Sequence, residues 1–205
     1  MGSRRWLPVC WGILKVEAGA ITTALGRLRG GDAAALDEIV ELLYRDLRLA
    51  AHRQRGRLGR AAGFDTTALV SEAYIRLAKA EALPLADREH FLAVASRAMR
   101  QVLVDELRRR RRQRRGGGME PVTLGAAEEV AVAGTSPEAL LDLDDALVEL
   151  EELEPRLVRV LECRVFGGMS EEEIGVALGI SWRTVHRDWV KARGWLALRL
   201  TPRAI

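Results

Sequence analysis

Arg183, Thr184, His186, Arg187 and Lys191 crowd one short stretch near the C-terminus, and helical spacing puts them on one outward face. Guanidinium and ammonium groups in that arrangement bind nucleic-acid phosphates, and arginine can also read guanine edges through paired donors. For Arg183 and Arg187 the position alone leaves both contacts open. A second basic cluster, Arg108–Arg112 followed by Arg114 and Arg115, would hold phosphates with a steep salt dependence. Its alternative reading is a solvated charge run. Bond-making chemistry finds no such support. His52, His90 and His186 fall in different predicted helices and lack HExxH spacing, and there is no P-loop or GxSxG motif. The carboxylates of residues 138–154 repeat around a helix instead of converging on a metal. The chain is therefore expected to have no catalytic residue, no metal site and no cofactor.

The C-terminal cluster needs a scaffold, and residues 170–196, SEEEIGVALGISWRTVHRDWVKARGWL, supply one. Ser170 with Glu173 three residues later reads as a capping box. Ile174, Ala177 and Leu178 form an inward stripe, and Gly179 suits a helix C-terminus with positive φ. Ser181 can cap the next helix, whose buried face is Val185, Trp189, Ala192 and Leu196. Two short helices joined by a tight turn, the second basic outside, form a helix-turn-helix whose second helix enters the DNA major groove. The plainer alternative is a helical hairpin with a solvated basic face.

Composition bounds the rest. Hydrophobic residues make up 48% and charged residues 30% of 205 residues, a globular balance with room for one or two domains. Ala, Leu, Arg and Glu dominate, which favours an all-α protein. Cys10 and Cys163 are far apart, without CxxC spacing, so a reducing cytoplasm fits better than a disulfide framework. The apolar stretch WLPVCWGIL covers only nine residues (6–14) and contains Pro8, too short to span a bilayer. Residues 1–19 are expected to be an unstructured extension, or to follow a start codon placed too far upstream.

Charge is distributed unevenly. Residues 20–115 hold 20 Lys/Arg against 12 Asp/Glu, residues 116–155 none against 11, and residues 156–205 nine against five. Two basic modules thus flank an acidic connector that DNA would repel. Apolar periodicity predicts a helix near Ile21–Leu28, then one from Asp32 to about Arg57 with the stripe Leu36, Ile39, Val40, Leu43, Leu47 and Ala50. A third helix starts at Thr66 or Thr67 and buries Leu69, Val70, Ala73 and Leu77. Asp87 caps a fourth that runs to about Arg115, apolar and small-residue at first, then arginine-rich. Gly116-Gly117-Gly118 ends it and opens the linker, and an acidic amphipathic helix resumes from Pro137 to Leu153. Pro155 introduces one more helix, through Val165, ahead of the helix-turn-helix. The expected fold is two helical domains joined by a flexible acidic linker, with a C-terminal helix-turn-helix.

An arginine-rich fourth helix followed, beyond a linker, by a helix-turn-helix resembles the extracytoplasmic-function (ECF) group of sigma-70 family RNA polymerase sigma factors. The resemblance covers about residues 20–200 and is carried by TTALVSEAYIRL, HFLAVASRAMRQVLVDELRRRRRQRRGGG and GISWRTVHRDWVKARGWL, in the family's order. It implies a domain at 20–115 that binds core polymerase and melts the −10 element, a linker at 116–137, and a −35-reading domain at 138–200. It implies core RNA polymerase (the β′ clamp coiled coil and the β flap) and promoter DNA as partners, an anti-sigma factor as a further one, and no membrane insertion.

Carried over by position, Leu69, Val70, Glu72 and Arg76 match the family's clamp-docking helix, with Ala68 and Ser71 standing where Asp and Gln are usual. Leu69 and Val70 can equally be plain core residues, and Glu72 with Arg76 a local helix pair. The melting helix resembles the family's through Arg100, Asp105, Arg108 and Arg109, with Arg97 extending the track and Gln101 beside it. Val94 stands where many members have an aromatic residue, leaving Phe91 as the nearest ring for base stacking, unless it is core. In the second helix Ser181, Thr184, Val185 and Arg187-Asp188-Trp189 follow the pattern, and His186 replaces a common lysine. The implied −35 set is Ser181, Trp182, Arg183, Thr184, His186, Arg187 and Lys191. The competing reading is a helix-turn-helix regulator acting without sigma activity, although the basic N-terminal module argues against a small-molecule domain. A polymerase-binding adaptor would not need two basic surfaces.

Overall fold

The computed structural model describes residues 11–58, 64–80, 85–116 and 136–200. Among these residues there are nine α-helices and no strand, as the composition predicts. The chain runs through α1 (Trp11–Arg29), α2 (Ala35–Leu42), α3 (Tyr44–Leu58), α4 (Thr66–Ala78) and α5 (Arg88–Gly116). It continues through α6 (Pro137–Leu153), α7 (Pro155–Leu161), a π-helical turn Glu162–Gly167, α8 (Glu171–Leu178) and α9 (Trp182–Leu200). No described helix is long and apolar enough to cross a membrane. The linker expected at 116–137 lies outside the described residues except for its first residue and its last two.

Local signals in the sequence account for most helix ends. Gly31 turns the chain after α1 with φ +93°, and the Ala34 amide donates to Asp32 Oδ1 at 3.1 Å just before α2. Asp87 caps α5 by accepting from the His90 amide at 2.7 Å. α4 starts at Thr66, as expected, and its cap is Asp65, accepting from Ala68 at 2.7 Å. Aspartate before a helix accepts from its free amides as well as a hydroxyl does. Two ends differ more. α1 already begins at Trp11, inside the stretch expected to be unstructured, because the Leu, Lys, Glu and Ala that follow favour a helix. The helix expected over 32–57 is two, broken at Leu43. No glycine or proline marks the break, and the Ile39, Leu43, Leu47 stripe stays buried through it, so packing decides it.

The arrangement turns on α5. At 29 residues it is about 43 Å long, and its first half is buried through Phe91, Ala95, Ser96, Ala98, Met99, Leu103 and Val104. α1, α3 and α4 pack on it, as do α6, the π-helical turn and α8, and α3 also meets the π-helical turn. One continuous core joins Leu25, Ile39 and Leu69 to Leu147, Leu157 and Phe166, so the helices on either side of the expected linker pack on each other. Small residues make the close approach possible. A Cβ on Gly167 would lie 3.0 Å from Ser96 Oγ, so the π-helical turn sits almost directly on α5. Gln54 closes the same seam by donating from Nε2 to the Ser96 and Phe166 carbonyls, each at 3.2 Å.

Candidate nucleic-acid interface

The helix-turn-helix forms as its residues dictate. Ser170 accepts from the Glu173 amide at 3.2 Å, and Glu173 Oε2 accepts from the Ser170 amide at 2.8 Å, a complete capping box. Gly179 ends α8 at φ +65°. Ser181 caps α9 by accepting from the Thr184 amide at 3.2 Å and lies 3.0 Å from Thr184 Oγ1. One residue the sequence reading missed governs the turn: a Cβ on Gly175 would meet the Ile180 carbonyl oxygen at 2.8 Å. The turn can fold back on α8 only because Gly175 has no side chain there.

α9 is locked on its inner face. Val185 and Ala192 are fully buried, and Trp189 is partly buried between the guanidiniums of Arg164 and Arg193, 5.9 and 5.8 Å from its centroid. Asp188, next to Arg187 in sequence, points inward and accepts from Arg156 Nε at 2.6 Å and Nη2 at 3.3 Å. That anchor fixes the rotation of α9 about its axis and with it the direction of the outer residues. Trp182, Arg183, His186 and Arg187 all face solvent, and the Arg187 side chain is 73% exposed. The Arg183 guanidinium lies 5.2 Å from the Trp182 centroid. His186 Nδ1 is 3.1 Å from Glu171 Oε1, and Lys191 donates to Glu154 at 2.6 Å. His186 and Lys191 each have a carboxylate partner to exchange before they could meet phosphate.

The second cluster is arranged differently. Phe91 is wholly enclosed in the core, so the ring expected near the opened strand has no face to offer a base. Arg97 donates to Glu151 of α6 at 2.8 Å. Arg100 is buried and bonds Asp144 of α6 and Glu162 of the π-helical turn, the latter at 2.6 Å. Arg108 pairs with Asp144 at 3.1 Å and Asp145 at 2.8 Å. Arg109 and Arg110 turn back to Glu106, whose carboxyl is held at about 2 mainly by the Arg109 hydrogen bond. Gln101 is partly buried, while Arg111 and Arg112 are exposed. Burial pushes the Glu162 carboxyl upward, and the charges of Arg100 and Arg97 pull the other way.

On the far side of α5 lies a groove of about 590 Å³ between α4 and α5. Glu72, Ile75, Arg76 and Lys79 line one wall, and Val102, Asp105, Arg109 and Arg112 the other. Leu69 and Val70, expected as docking residues, are buried core, so the accessible face of α4 belongs to Glu72, Ile75 and Arg76. Arg76 reaches across to Asp105 at 2.5 Å instead of forming the local pair with Glu72. Ile75, exposed and apolar between those two charges, was not marked in the sequence because a single outward isoleucine carries no pattern. Among the described residues no group of His, Cys, Asp and Glu could hold a metal ion.

Set beside known proteins, the chain matches a family model described as ECF sigma factor over residues 18–201. Comparison with curated proteins gives no match. Comparison with solved structures gives none either.

Proposed function

We propose a division of labour for this chain, which belongs to the ECF sigma factor family and is thus an RNA polymerase sigma factor acting with core polymerase on promoter DNA. In this reading α4 and the groove it shares with α5 dock on the β′ clamp coiled coil through Glu72, Ile75 and Arg76. Residues 20–115 then hold the melted −10 strand along Arg97, Arg100, Gln101, Arg108 and Arg109. Residues 138–200 read the −35 duplex through Ser181, Trp182, Arg183, Thr184, His186, Arg187 and Lys191, and meet the β flap. An anti-sigma factor completes the partners, and the site of action is the cytoplasm, where the polymerase works. Sigma factors are not a class of enzyme.

The observation that carries this reading is the direction of α9. Asp188 and Trp189 are pinned inward, leaving Arg183 and Arg187 projecting from the start of the helix as a major-groove reader requires. Purified protein mixed with bacterial core polymerase and a promoter library should give run-off transcripts sharing two elements at fixed spacing. Tight DNA binding by the protein alone, with no promoter-specific transcript in the presence of core, would overturn it and favour an ordinary helix-turn-helix regulator.

A further inference from the structure

On the outer face of α9, Arg183, Arg187 and Lys191 are exposed, and their side chains can only donate hydrogen bonds. The hydroxyls of Ser181 and Thr184 lie 3.0 Å from each other, and Ser181 also serves the helix cap. His186 differs in kind, because an imidazole nitrogen donates or accepts according to where the hydrogen sits. Glu171 decides that point. It belongs to the other helix of the pair, as the first residue of α8, and its Oε1 lies 3.1 Å from His186 Nδ1. An ionised carboxylate only accepts, so the hydrogen of the neutral ring belongs on Nδ1. Nε2 then carries a lone pair, and no described residue donates to it. The His186 side chain is 59% exposed against 21% for Glu171, so the sheltered carboxylate holds a ring that faces solvent.

We infer that His186 reads a base pair by accepting: its Nε2 takes a hydrogen bond from an exocyclic amine, adenine N6 or cytosine N4, in the major groove of the −35 duplex. This rests on the reading of α9 as the −35 helix. In that groove adenine and cytosine present amines while guanine and thymine present oxygens. Every pair therefore carries one of each, and an acceptor fixes which way round the pair must lie. Reversing the pair sets the lone pair against guanine O6 or thymine O4, and an acceptor left without a donor costs affinity. Glu171 touches no base in this scheme and acts as a positioning residue. Without it the hydrogen is free to move to Nε2, and the ring becomes a donor that accepts either orientation. Meeting phosphate would require His186 to leave Glu171 or to take a second proton. Meeting an amine requires neither.

The test uses holoenzyme at about pH 8, where a free imidazole is neutral. A duplex library randomised across the −35 element is bound and sequenced with wild type and with His186→Ala, and the position where their preferences differ is the one His186 faces. On the preferred pair, purine in place of adenine, or 2-pyrimidinone in place of cytosine, deletes the amine alone. That deletion should weaken wild type about two- to tenfold more than it weakens His186→Ala. Deleting the oxygen of the partner base should weaken both alike. Glu171→Ala should shrink the amine difference with assembly on core unchanged, and His186→Lys, which can only donate, should abolish it. Identical libraries, an equal response to amine deletion, or a difference that follows the oxygen overturns the inference, and Glu171→Ala matching wild type overturns the positioning role. If Arg183→Ala and Arg187→Ala still weaken duplex binding in that event, the −35 reading stands without it. If they too bind as wild type, both fall.

Discussion

Two glycines of the helix-turn-helix should respond to the same substitution with opposite signs. A Cβ on Gly175 would approach the Ile180 carbonyl oxygen to 2.8 Å, and that oxygen is backbone, so the turn itself must move. Gly194, on α9, has nothing within 4 Å of the equivalent position. Overpacking of this kind costs about 1–3 kcal/mol, while replacing a mid-helix glycine by alanine contributes about 0.5–1 kcal/mol. The two terms oppose each other at Gly175 and leave Gly175→Ala less stable by about 1–2 kcal/mol. Only the favourable one acts at Gly194. For a chain of this size about 2–4 °C follows each kcal/mol. Gly175→Ala should therefore melt about 2–8 °C below wild type and Gly194→Ala about 1–4 °C above it by circular dichroism. A displaced turn also re-aims Arg183 and Arg187, so Gly175→Ala holoenzyme should bind −35 duplex more weakly while still assembling with core. Gly175→Ala melting at or above wild type, or Gly194→Ala melting below it, would refute the reasoning.

Arg183→Ala and Arg187→Ala should each weaken −35 duplex binding by holoenzyme about tenfold if the contact is to a base edge, or lower the salt slope by about one if it is to phosphate. Polymerase association should survive both, measured by native gel, and its loss would count against the division proposed. Glu106, held at about 2 against an ordinary 4.5 by its hydrogen bonds from Arg109 and Arg110, stabilises the folded chain fully above pH 4.5. That contribution should fade as pH drops from 4.5 toward 2, and a carboxyl resonance of Glu106 titrating near 4.5 in the native protein would contradict it. Burial pushes the Cys163 thiol up to about 12, so native protein should not react there with a thiol reagent at pH 8 while denatured protein does.

Much of the reader helix was legible because its signals are local. Ser170 with Glu173, Gly179 and Ser181 act on amides within four residues of themselves, and each behaves as its type and spacing predict. The buried stripes of α3, α4 and α9 were legible for the same reason, since helical period alone sorts Leu69, Val70, Ala73 and Leu77 to one side. Asp188 was harder. It sits among outward charges in the sequence and turns inward only because Arg156, thirty-two residues earlier, waits beneath α9. Nothing local to Leu43 announces the break between α2 and α3, and nothing local to Gly175 announces the carbonyl that forbids a side chain there.

By themselves, the residues of this chain determined its helices, its caps, the uneven spread of charge and the two basic surfaces, because those properties follow from period, side-chain type and near neighbours. The tertiary structure decided which of the two surfaces is open. Arg97, Arg100 and Arg108 look as free in the sequence as Arg183 and Arg187, yet packing of α6 across the small-residue face of α5 gives them carboxylates and leaves α9 exposed. A charge's partner depends on which helices share a seam. Shape complementarity between distant segments sets that seam, which no spacing along the chain encodes.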